Sequence, residues 1–274
     1  MLLEAQVSQM AITLTYPELM AKRVLVTGAA DPARDAWGGA IARAFAGHGG
    51  RLILELGGEP AHRSALAEDV RAKARGVRVL SADFSDTAGI DRFADAALKA
   101  YDGVDVLINV MRLPESASRA RSEKALHAAI ASAFRVAQTL TDRATQKMRL
   151  TRTKGVVINA LVEPKAPHGA NGARALALHA MAKTALEAMT QAQARAGYDA
   201  GLRVYGLIQT VAAGARAWPD LGSELSDDGD GPGLDDFFHG EAASGDLLDS
   251  VEDTALYLAS DKGRWMNGAV LSVK

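Results

Sequence analysis

The sequence predicts an α/β protein built on a Rossmann-type, doubly wound parallel sheet of about seven strands with helices on both faces. Short hydrophobic runs recur along the 274 residues, and they alternate with long Ala-rich segments of helical periodicity. Most of these runs are nearly continuous in Val, Ile and Leu, as expected of strands buried on both faces of a parallel sheet. Repeated strand–helix–strand units require right-handed crossovers, which produce a doubly wound sheet.

The predicted elements follow one another almost without a break. The strands are RVLVT from Arg23, RLILEL from Arg51, VRVLSA from Val77, VDVLINV from Val104, GVVINAL from Gly155, LRVYGLI from Leu202 and AVLSV from Ala269. Helices are predicted over GAIARAFAGHGG, HRSALAEDVRAKARG and GIDRFADAALKAYDG, each ending at glycine, the usual C-terminal stop. Two longer helices, rich in Ala, Leu and Met, are predicted at 118–148 and 170–197. They pack on the sheet, and their small side chains also suit a subunit interface.

The length fits one domain covering residues 1–274, with an N-terminal extension at 1–22 and an acidic flap at 219–249. The flap holds ten Asp or Glu and no Lys or Arg, and its Gly and Pro content predicts a solvated insertion. Asp227, Asp228 and Asp230 resemble part of a calcium loop, but the closing glutamate is absent from the required offset. We therefore predict no metal site.

Composition excludes several classes of function. The net charge is −2 with scattered Lys and Arg, which argues against a nucleic-acid partner. No stretch approaches the roughly 18 apolar residues of a membrane span, and the amino terminus lacks a signal-peptide pattern. The absence of cysteine excludes disulfides, thiolate catalysis and Cys-ligated metal. We expect a cytoplasmic protein.

A glycine-bearing turn follows the first strand, in TGAADPARDAWGGAIARAF. Such a turn, leading into a helix amino terminus, places backbone N–H groups where a pyrophosphate can bind. Gly28, Trp37 and Gly38 are the candidate cofactor residues here, although their spacing is not G-x-G-x-x-G. The long loop with its bulky Trp can either cradle phosphate or fill the space instead.

Two acids follow neighbouring strands. Glu55 ends the second strand, at the place where an acid holds the ribose hydroxyls of NAD. Asp83 follows the third strand in SADFSD, and we assign it to the cofactor site, although it is equally a candidate cap of the next helix. Glu55 favours NAD, but the choice between NAD and NADP stays open.

Motifs along nearly the whole chain resemble the short-chain dehydrogenase/reductase superfamily. RVLVTGAA resembles its first strand and Thr-Gly turn, VDVLINV the strand ending in Asn-Asn-Ala-Gly, and HAMAKTALEAM the Tyr-x-x-x-Lys helix. FRVAQTL, GLRVYGLI and SVEDTALYLASDKGRWMNGAVLSV resemble the fourth helix, the strand before the Pro-Gly loop and the carboxy-terminal elements. The stretched glycine loop and MAKTALEA look closest to the divergent branch of enoyl-acyl-carrier-protein reductases.

The resemblance implies a catalytic Tyr, Lys, Ser and Asn. Lys183 matches the Lys, which in the family lowers the pKa of the Tyr and holds the ribose. The Tyr position falls on His179, or on Leu176 in the enoyl-reductase spacing. The Ser position falls on Leu161 or Val162, and the Asn position on Ala129.

Two further family motifs are reduced in this sequence. The Asn-Asn-Ala-Gly turn reads NVMR and keeps only Asn109, which we assign to the cofactor site. The Pro-Gly pair that shapes the nicotinamide pocket reads Gln209-Thr210.

His179 is the one candidate for a replacement acid. An imidazole exchanges protons near neutral pH, and Lys183 lies one helical turn away on the same face. A positive lysine at that distance favours the neutral imidazole, which is a poor proton donor. The plainer interpretation is a packed or solvated histidine on an Ala-rich helix.

Taken together, the residues predict a pseudoenzyme that lacks the catalytic Ser, Tyr and Asn. We expect a non-catalytic structural or regulatory subunit that forms a homo- or hetero-oligomer through 118–148 and 170–197, in the hetero-oligomer with an active paralogue. NAD or NADP is the expected cofactor unless binding has been lost. The alternative is an NAD(P)-dependent oxidoreductase with an unconventional site using His179 and Lys183, and Tyr205 within reach of the pocket would favour it.

Overall fold

The computed structural model describes residues 16–29, 35–56, 60–113, 122–162, 170–209 and 250–273. The acidic flap at 219–249 and the first fifteen residues of the N-terminal extension lie outside them. Seven strands form one sheet in the order β3-β2-β1-β4-β5-β6-β7, and every pairing is parallel. The predicted doubly wound fold is therefore confirmed.

The strands lie within a residue or two of the predicted bounds. They are β1 Arg23–Thr27, β2 Arg51–Glu55, β3 Gly76–Leu80, β4 Val106–Met111, β5 Val156–Leu161, β6 Arg203–Gln209 and β7 Val270–Val273. Every residue of β4 and β5 is buried, because these strands lie in the middle of the sheet under helices on both faces. Their unbroken hydrophobic runs are thus explained by position.

Six α-helices lie in the described residues. They are α1 Asp35–Gly47, α2 Pro60–Lys73, α3 Thr87–Ala100, α4 Glu123–Leu150, α5 Ala170–Gly197 and α6 Val251–Ala259. The second predicted long helix matches α5 at both ends. The first was predicted from 118, whereas α4 begins at Glu123, because the Ser122 side chain accepts a hydrogen bond of 3.2 Å from the backbone N–H of Ala125 and caps the helix.

The prediction that the shorter helices run up to glycine was wrong for two of them. The α2 helix ends at Lys73, before Gly76, and α3 ends at Ala100, before Gly103. In the second case Asp102 (φ 55°) and Gly103 (φ 130°) both leave the helical region, so the turn starts before the glycine.

The hydrophobic core has two main layers, one on each face of the sheet. Side chains of α1, α2 and α6 pack on one face, with Phe45, Val70 and Leu258 completely buried. The α3, α4 and α5 helices cover the other face, where Phe93, Leu140 and Ala194 are buried. The carboxyl ends of β1 and β4 lie between these layers at the point where strand order reverses, which is where ligands bind in open α/β sheets.

Candidate functional site

The glycine turn after β1 has the backbone geometry that its sequence predicts. Gly28 adopts φ 68°, a left-handed conformation that favours glycine. A Cβ atom on Gly38 would lie 2.8 Å from both the Cα of Ala29 and the carbonyl oxygen of Gly28. The first turn of α1 therefore passes directly against the Thr-Gly turn, and only glycine at position 38 permits this approach.

Glu55 lies beneath this turn. Its side chain is 4% exposed, and its Oε2 accepts a hydrogen bond of 2.7 Å from the backbone N–H of Gly28. A buried carboxylate is stable only when it is hydrogen-bonded or paired. Two predicted cofactor residues are thus in direct contact, at the carboxyl ends of adjacent strands.

Trp37 lies in the first turn of α1, but its indole is 3% exposed and belongs to the core layer under α1 and α6. The sequence left two roles open for Trp37, binding phosphate or filling space, and the buried indole fills space. Its side chain packs in the hydrophobic core, and its backbone N–H lies in the first turn of α1, where helix N–H groups lack an intrahelical partner.

Of the two acids between β3 and α3, Asp86 caps the helix and Asp83 does not. The Oδ1 atom of Asp86 accepts a hydrogen bond of 2.6 Å from the backbone N–H of Gly89, so Asp86 is the cap of α3. The suggestion that Asp83 caps this helix was wrong. Asp83 is exposed at the end of β3, and hydrogen bonds from the side chain and backbone of Ser85 lower the pKa of its carboxyl.

Asn109 is buried inside the sheet. Its Nδ2 donates hydrogen bonds to Asn159 Oδ1 at 2.9 Å and to Thr141 Oγ1 at 3.2 Å, while its own Oδ1 accepts none from the described part of the chain. Asn159 is its register partner on β5 and is completely buried. The sequence analysis missed Asn159, although the signal was present, because LIN in β4 and VIN in β5 place asparagine at the same position of two buried strands.

An apolar cluster fills the region around the carboxyl ends of β4, β5 and β6. We call it the end cluster; its buried members are Met111, Leu113, Ala137, Leu161, Leu178, Ala182, Leu186 and Ile208. Leu161, which stands at a predicted oxygen-binding position, is completely buried in it, and Val162 is 5% exposed. These two side chains offer no hydrogen-bond donor to a reacting oxygen.

His179 lies on α5 beside the end cluster, next in sequence to its member Leu178. The residue is 8% exposed, and its buried Nδ1 has no hydrogen-bond partner among the residues that the structure describes. Burial first, and then the positive charge of Lys183, lower the pKa of the imidazole from 6.5 to about 4. His179 is therefore neutral at physiological pH and cannot supply a proton as imidazolium.

Lys183 follows one turn later on α5 and is half-buried. In the part of the chain that the structure describes, no carboxylate forms an ion pair with it. The side chains of Ala129 and Leu176, and residue Thr210, lie outside the described part.

Tyr205 does not reach the end cluster. It is completely buried in the opposite core layer, where its hydroxyl donates a hydrogen bond of 2.8 Å to the carbonyl oxygen of Gly263. Neighbouring Arg203 donates to the carbonyl oxygens of Leu258, Ala259 and Ser260, at the carboxyl end of α6. Arg203 thus holds the end of α6 and Tyr205 holds the segment that follows it, and burial raises the pKa of the Tyr205 hydroxyl.

Two further features are absent from the described residues. They contain no group of three or more His, Cys, Asp or Glu that could hold a metal ion. None of their helices combines the length and hydropathy required to span a bilayer.

Comparison with known proteins places this geometry in a family. The family model for enoyl-(acyl carrier protein) reductase matches residues 33–274. A comparison with curated proteins finds no match.

Solved structures share the fold at low sequence identity. A short chain dehydrogenase from Mycobacterium smegmatis superposes with a TM-score of 0.68 at 19% identity, over 95% of this chain and 94% of that one. An NADH-dependent reductase, A1-R′, in complex with NAD, gives a TM-score of 0.67 at 19% identity, over 94% and 96% of the two chains. The extent of the family match and the shared fold lead to one conclusion: the chain belongs to the enoyl-(acyl carrier protein) reductase family within the short-chain dehydrogenases/reductases.

Proposed function

We propose that this chain is a non-catalytic member of its family that acts as a structural or regulatory subunit, with an active paralogue as its partner. The observation that carries the proposal is the end cluster. Leu161 and Val162 stand where the family carries an oxygen-binding Ser; Leu161 is buried in the end cluster, and Val162 is buried in the core layer on the other face of the sheet. His179, at the Tyr position, is neutral.

The chemistry explains why this arrangement argues against turnover. Hydride transfer to a carbonyl requires a proton for the developing alkoxide, and a positioned acid contributes about 10²–10⁴-fold in rate. It also requires donors aimed at that oxygen. Leucine and valine provide neither, and an imidazole with a pKa of about 4 carries no spare proton at neutral pH.

The dinucleotide groove, by contrast, supports cofactor binding. Gly28, Gly38 and Glu55 fit the adenosine and pyrophosphate half of a nicotinamide dinucleotide, because the turn is close-packed and the carboxylate is held at the strand end. The structural neighbour A1-R′ is described in complex with NAD. A bound nicotinamide would supply the hydride chemistry, and the residues of this chain would only hold the cofactor.

The exposed faces of α4 and α5 support the proposed association. Along α5, Ala177, Met181, Ala185, Ala188 and Ala192 are exposed, with Met181 at 55%. Small side chains let helices approach closely, and an exposed apolar face marks an interaction surface.

The first experiment has two parts. Calorimetry measures the binding of NADH and of NADPH to the purified protein, and an activity assay measures oxidation of these cofactors in the presence of carbonyl or enoyl-thioester substrates. We expect NADH binding without turnover, and the same background in wild type and His179→Ala. Turnover that His179→Ala abolishes would overturn the proposal. If NADH does not bind at millimolar concentration, the chain cannot be a regulatory subunit that responds to the cofactor, and only the structural role is left.

A second experiment tests the interface by light scattering on purified chain, alone and co-expressed with an active family member from the same genome. We expect Ala188→Glu to shift the assembly toward monomer. Ala96→Glu, which changes an exposed alanine on α3, serves as the matched control. A monomeric wild type under both conditions would contradict the subunit proposal.

The second candidate function is an NAD(P)-dependent oxidoreductase with an unconventional site. It is favoured by the buried, unpartnered Nδ1 of His179 and by the cation of Lys183 one turn away. Its signature is turnover that both His179→Ala and Lys183→Met reduce at least about tenfold, which corresponds to ~1.4 kcal/mol of barrier.

A further inference from the structure

A row of side-chain amides connects the middle of the sheet to the surface of α4. We call it the amide chain; in order, it consists of Asn109, Asn159, Gln193, Gln138 and the carboxylate of Asp142. Asn109 Nδ2 donates to Asn159 Oδ1 at 2.9 Å, and Asn159 Nδ2 donates to Gln193 Oε1 at 3.0 Å. Gln193 Nε2 donates to Gln138 Oε1 at 3.0 Å, and Gln138 Nε2 donates to Asp142 at 2.9 Å and 3.1 Å.

The direction of these bonds is fixed from one end. A carboxylate only accepts hydrogen bonds, so Gln138 must present its NH₂ to Asp142 and its oxygen to Gln193. The same constraint then passes to Asn159 and Asn109, because reversing any one amide would bring two oxygens or two NH₂ groups together. All four amides therefore point the same way, and hydrogen-bonded chains of this kind strengthen one another.

Asn109 forms the buried end of the amide chain, and among the described residues its oxygen is left without a donor. Asn109 is 1% exposed, and its Oδ1 is the one amide oxygen of the chain that accepts no hydrogen bond. Its Nδ2 is taken up by Asn159 on β5 and by Thr141, which leaves the oxygen to accept a hydrogen bond, and on the other side of β4 the register partner of Asn109 is Thr27 of β1. The gap between β1 and β4 is where strand order reverses, and ligands of doubly wound sheets bind at its carboxyl edge.

We propose that the amide chain couples the α4–α5 face to the dinucleotide groove, by fixing Asn109 Oδ1 as an acceptor for an N–H or O–H donor beside β1. The inference rests on the proposed function, which makes one end of the amide chain a subunit surface and the other end part of a cofactor groove. A subunit that docks over exposed Gln138 and Asp142 changes the hydrogen bonds at one end, and the polarity of the row carries that change to Asn109.

The test reads the side-chain NH₂ signals of the full-length protein by nuclear magnetic resonance. Gln138→Met keeps the length of the side chain but breaks the chain at the surface. The matched control is Gln146→Met, two turns further along α4, which is exposed and outside the chain. We expect Gln138→Met to shift the Asn159 and Asn109 NH₂ signals and to raise their hydrogen-exchange rates about tenfold, while Gln146→Met leaves them unchanged.

A double mutant isolates the path. Gln193→Met severs the chain between surface and sheet, and Gln193 is only half-buried, so the variant is expected to fold. In that background, adding Gln138→Met should produce no further shift at Asn109. Unmoved Asn109 signals in Gln138→Met, or an equal shift in the Gln193→Met background, would overturn the coupling.

An NADH titration followed at the same signals separates this inference from the proposed function. Linkage is reciprocal, so NADH bound in the groove should shift the Gln193 and Gln138 signals. Binding without such a shift would overturn the coupling even though the groove functions. Absence of binding would contradict the cofactor proposal, and the Gln138→Met result, which needs no cofactor, would still decide the coupling.

Discussion

The carboxylate of Glu55 accepts a hydrogen bond of 2.7 Å from the backbone N–H of Gly28. This bond joins the end of β2 to the turn after β1, and it holds an acidic side chain under the groove in a site that is 4% exposed. A buried charge in a low-dielectric setting acts strongly on any group brought close to it. The relationship therefore bears on which dinucleotide the groove accepts.

We expect NADH to bind at least about tenfold more tightly than NADPH (~1.4 kcal/mol), because the Glu55 carboxylate repels a 2′-phosphate. Glu55→Gln should reduce this ratio, since it removes the charge and keeps the size of the side chain. Isothermal titration with both cofactors measures the ratio. Asp83→Asn, at the exposed acid of β3, is the control and should leave the ratio intact; an unchanged ratio in Glu55→Gln would contradict the prediction.

Two glycines of α1 should respond oppositely to alanine. Gly38→Ala places a methyl group 2.8 Å from backbone atoms of Ala29 and Gly28, so we expect a loss of about 1–3 kcal/mol in the free energy of unfolding and weaker NADH binding. Gly47→Ala meets nothing within 4 Å and should be neutral or stabilising by up to about 1 kcal/mol. Urea unfolding measures both, and equal effects would contradict the close approach.

The fold was predictable because its signals are local. The hydrophobic runs that form β4 and β5 and the glycine turn at Gly28 can each be read from a few adjacent residues. Helix starts were less predictable, since SADFSD offers two acids and only the backbone path decides that Asp86 rather than Asp83 caps α3.

The site was harder to predict because its defining contacts are between distant residues. Asn109 was assigned to the cofactor, but its hydrogen bonds to Asn159 and Thr141 join residues 50 and 32 positions apart. Trp37 is buried in a cluster that also contains residues of α6, more than two hundred residues later in the chain. Sequence identified Leu161 and Val162 as apolar; that Leu161 is buried in the end cluster and Val162 in the core layer on the other face of the sheet required the tertiary structure.

Two buried tyrosines should respond differently to loss of the hydroxyl. Tyr16 is 2% exposed and its hydroxyl has no hydrogen-bond partner within the described ranges, so Tyr16→Phe should stabilise the protein by up to about 1 kcal/mol by removing a buried unsatisfied group. Tyr205→Phe removes the bond to Gly263 and leaves a carbonyl unpaired, at a cost of about 1–3 kcal/mol. Urea midpoints of the two variants decide; destabilisation of similar size in both would contradict the assignment.

His179 should make the stability of the fold depend on pH. Its pKa is about 4 in the folded chain and near its ordinary value of about 6.5 when unfolded. Above pH 6.5 neither state binds the proton, and stability is fully present. As the pH falls from 6.5 toward 4, the unfolded state takes up a proton that the folded state refuses, so stability decreases, by up to about 3 kcal/mol.

The measurement is the free energy of unfolding by urea at pH values between 4 and 8, for wild type and His179→Leu. The leucine variant should lose most of this acid-side decrease, and it should be at least as stable as wild type at pH 7, because it also removes the unpartnered Nδ1 beside an apolar cluster. His127→Leu, at an exposed histidine of α4, should retain the wild-type profile. Parallel profiles for wild type and His179→Leu would mean that the imidazole is solvated and charged in the folded chain, and the oxidoreductase candidate would then regain its proton donor.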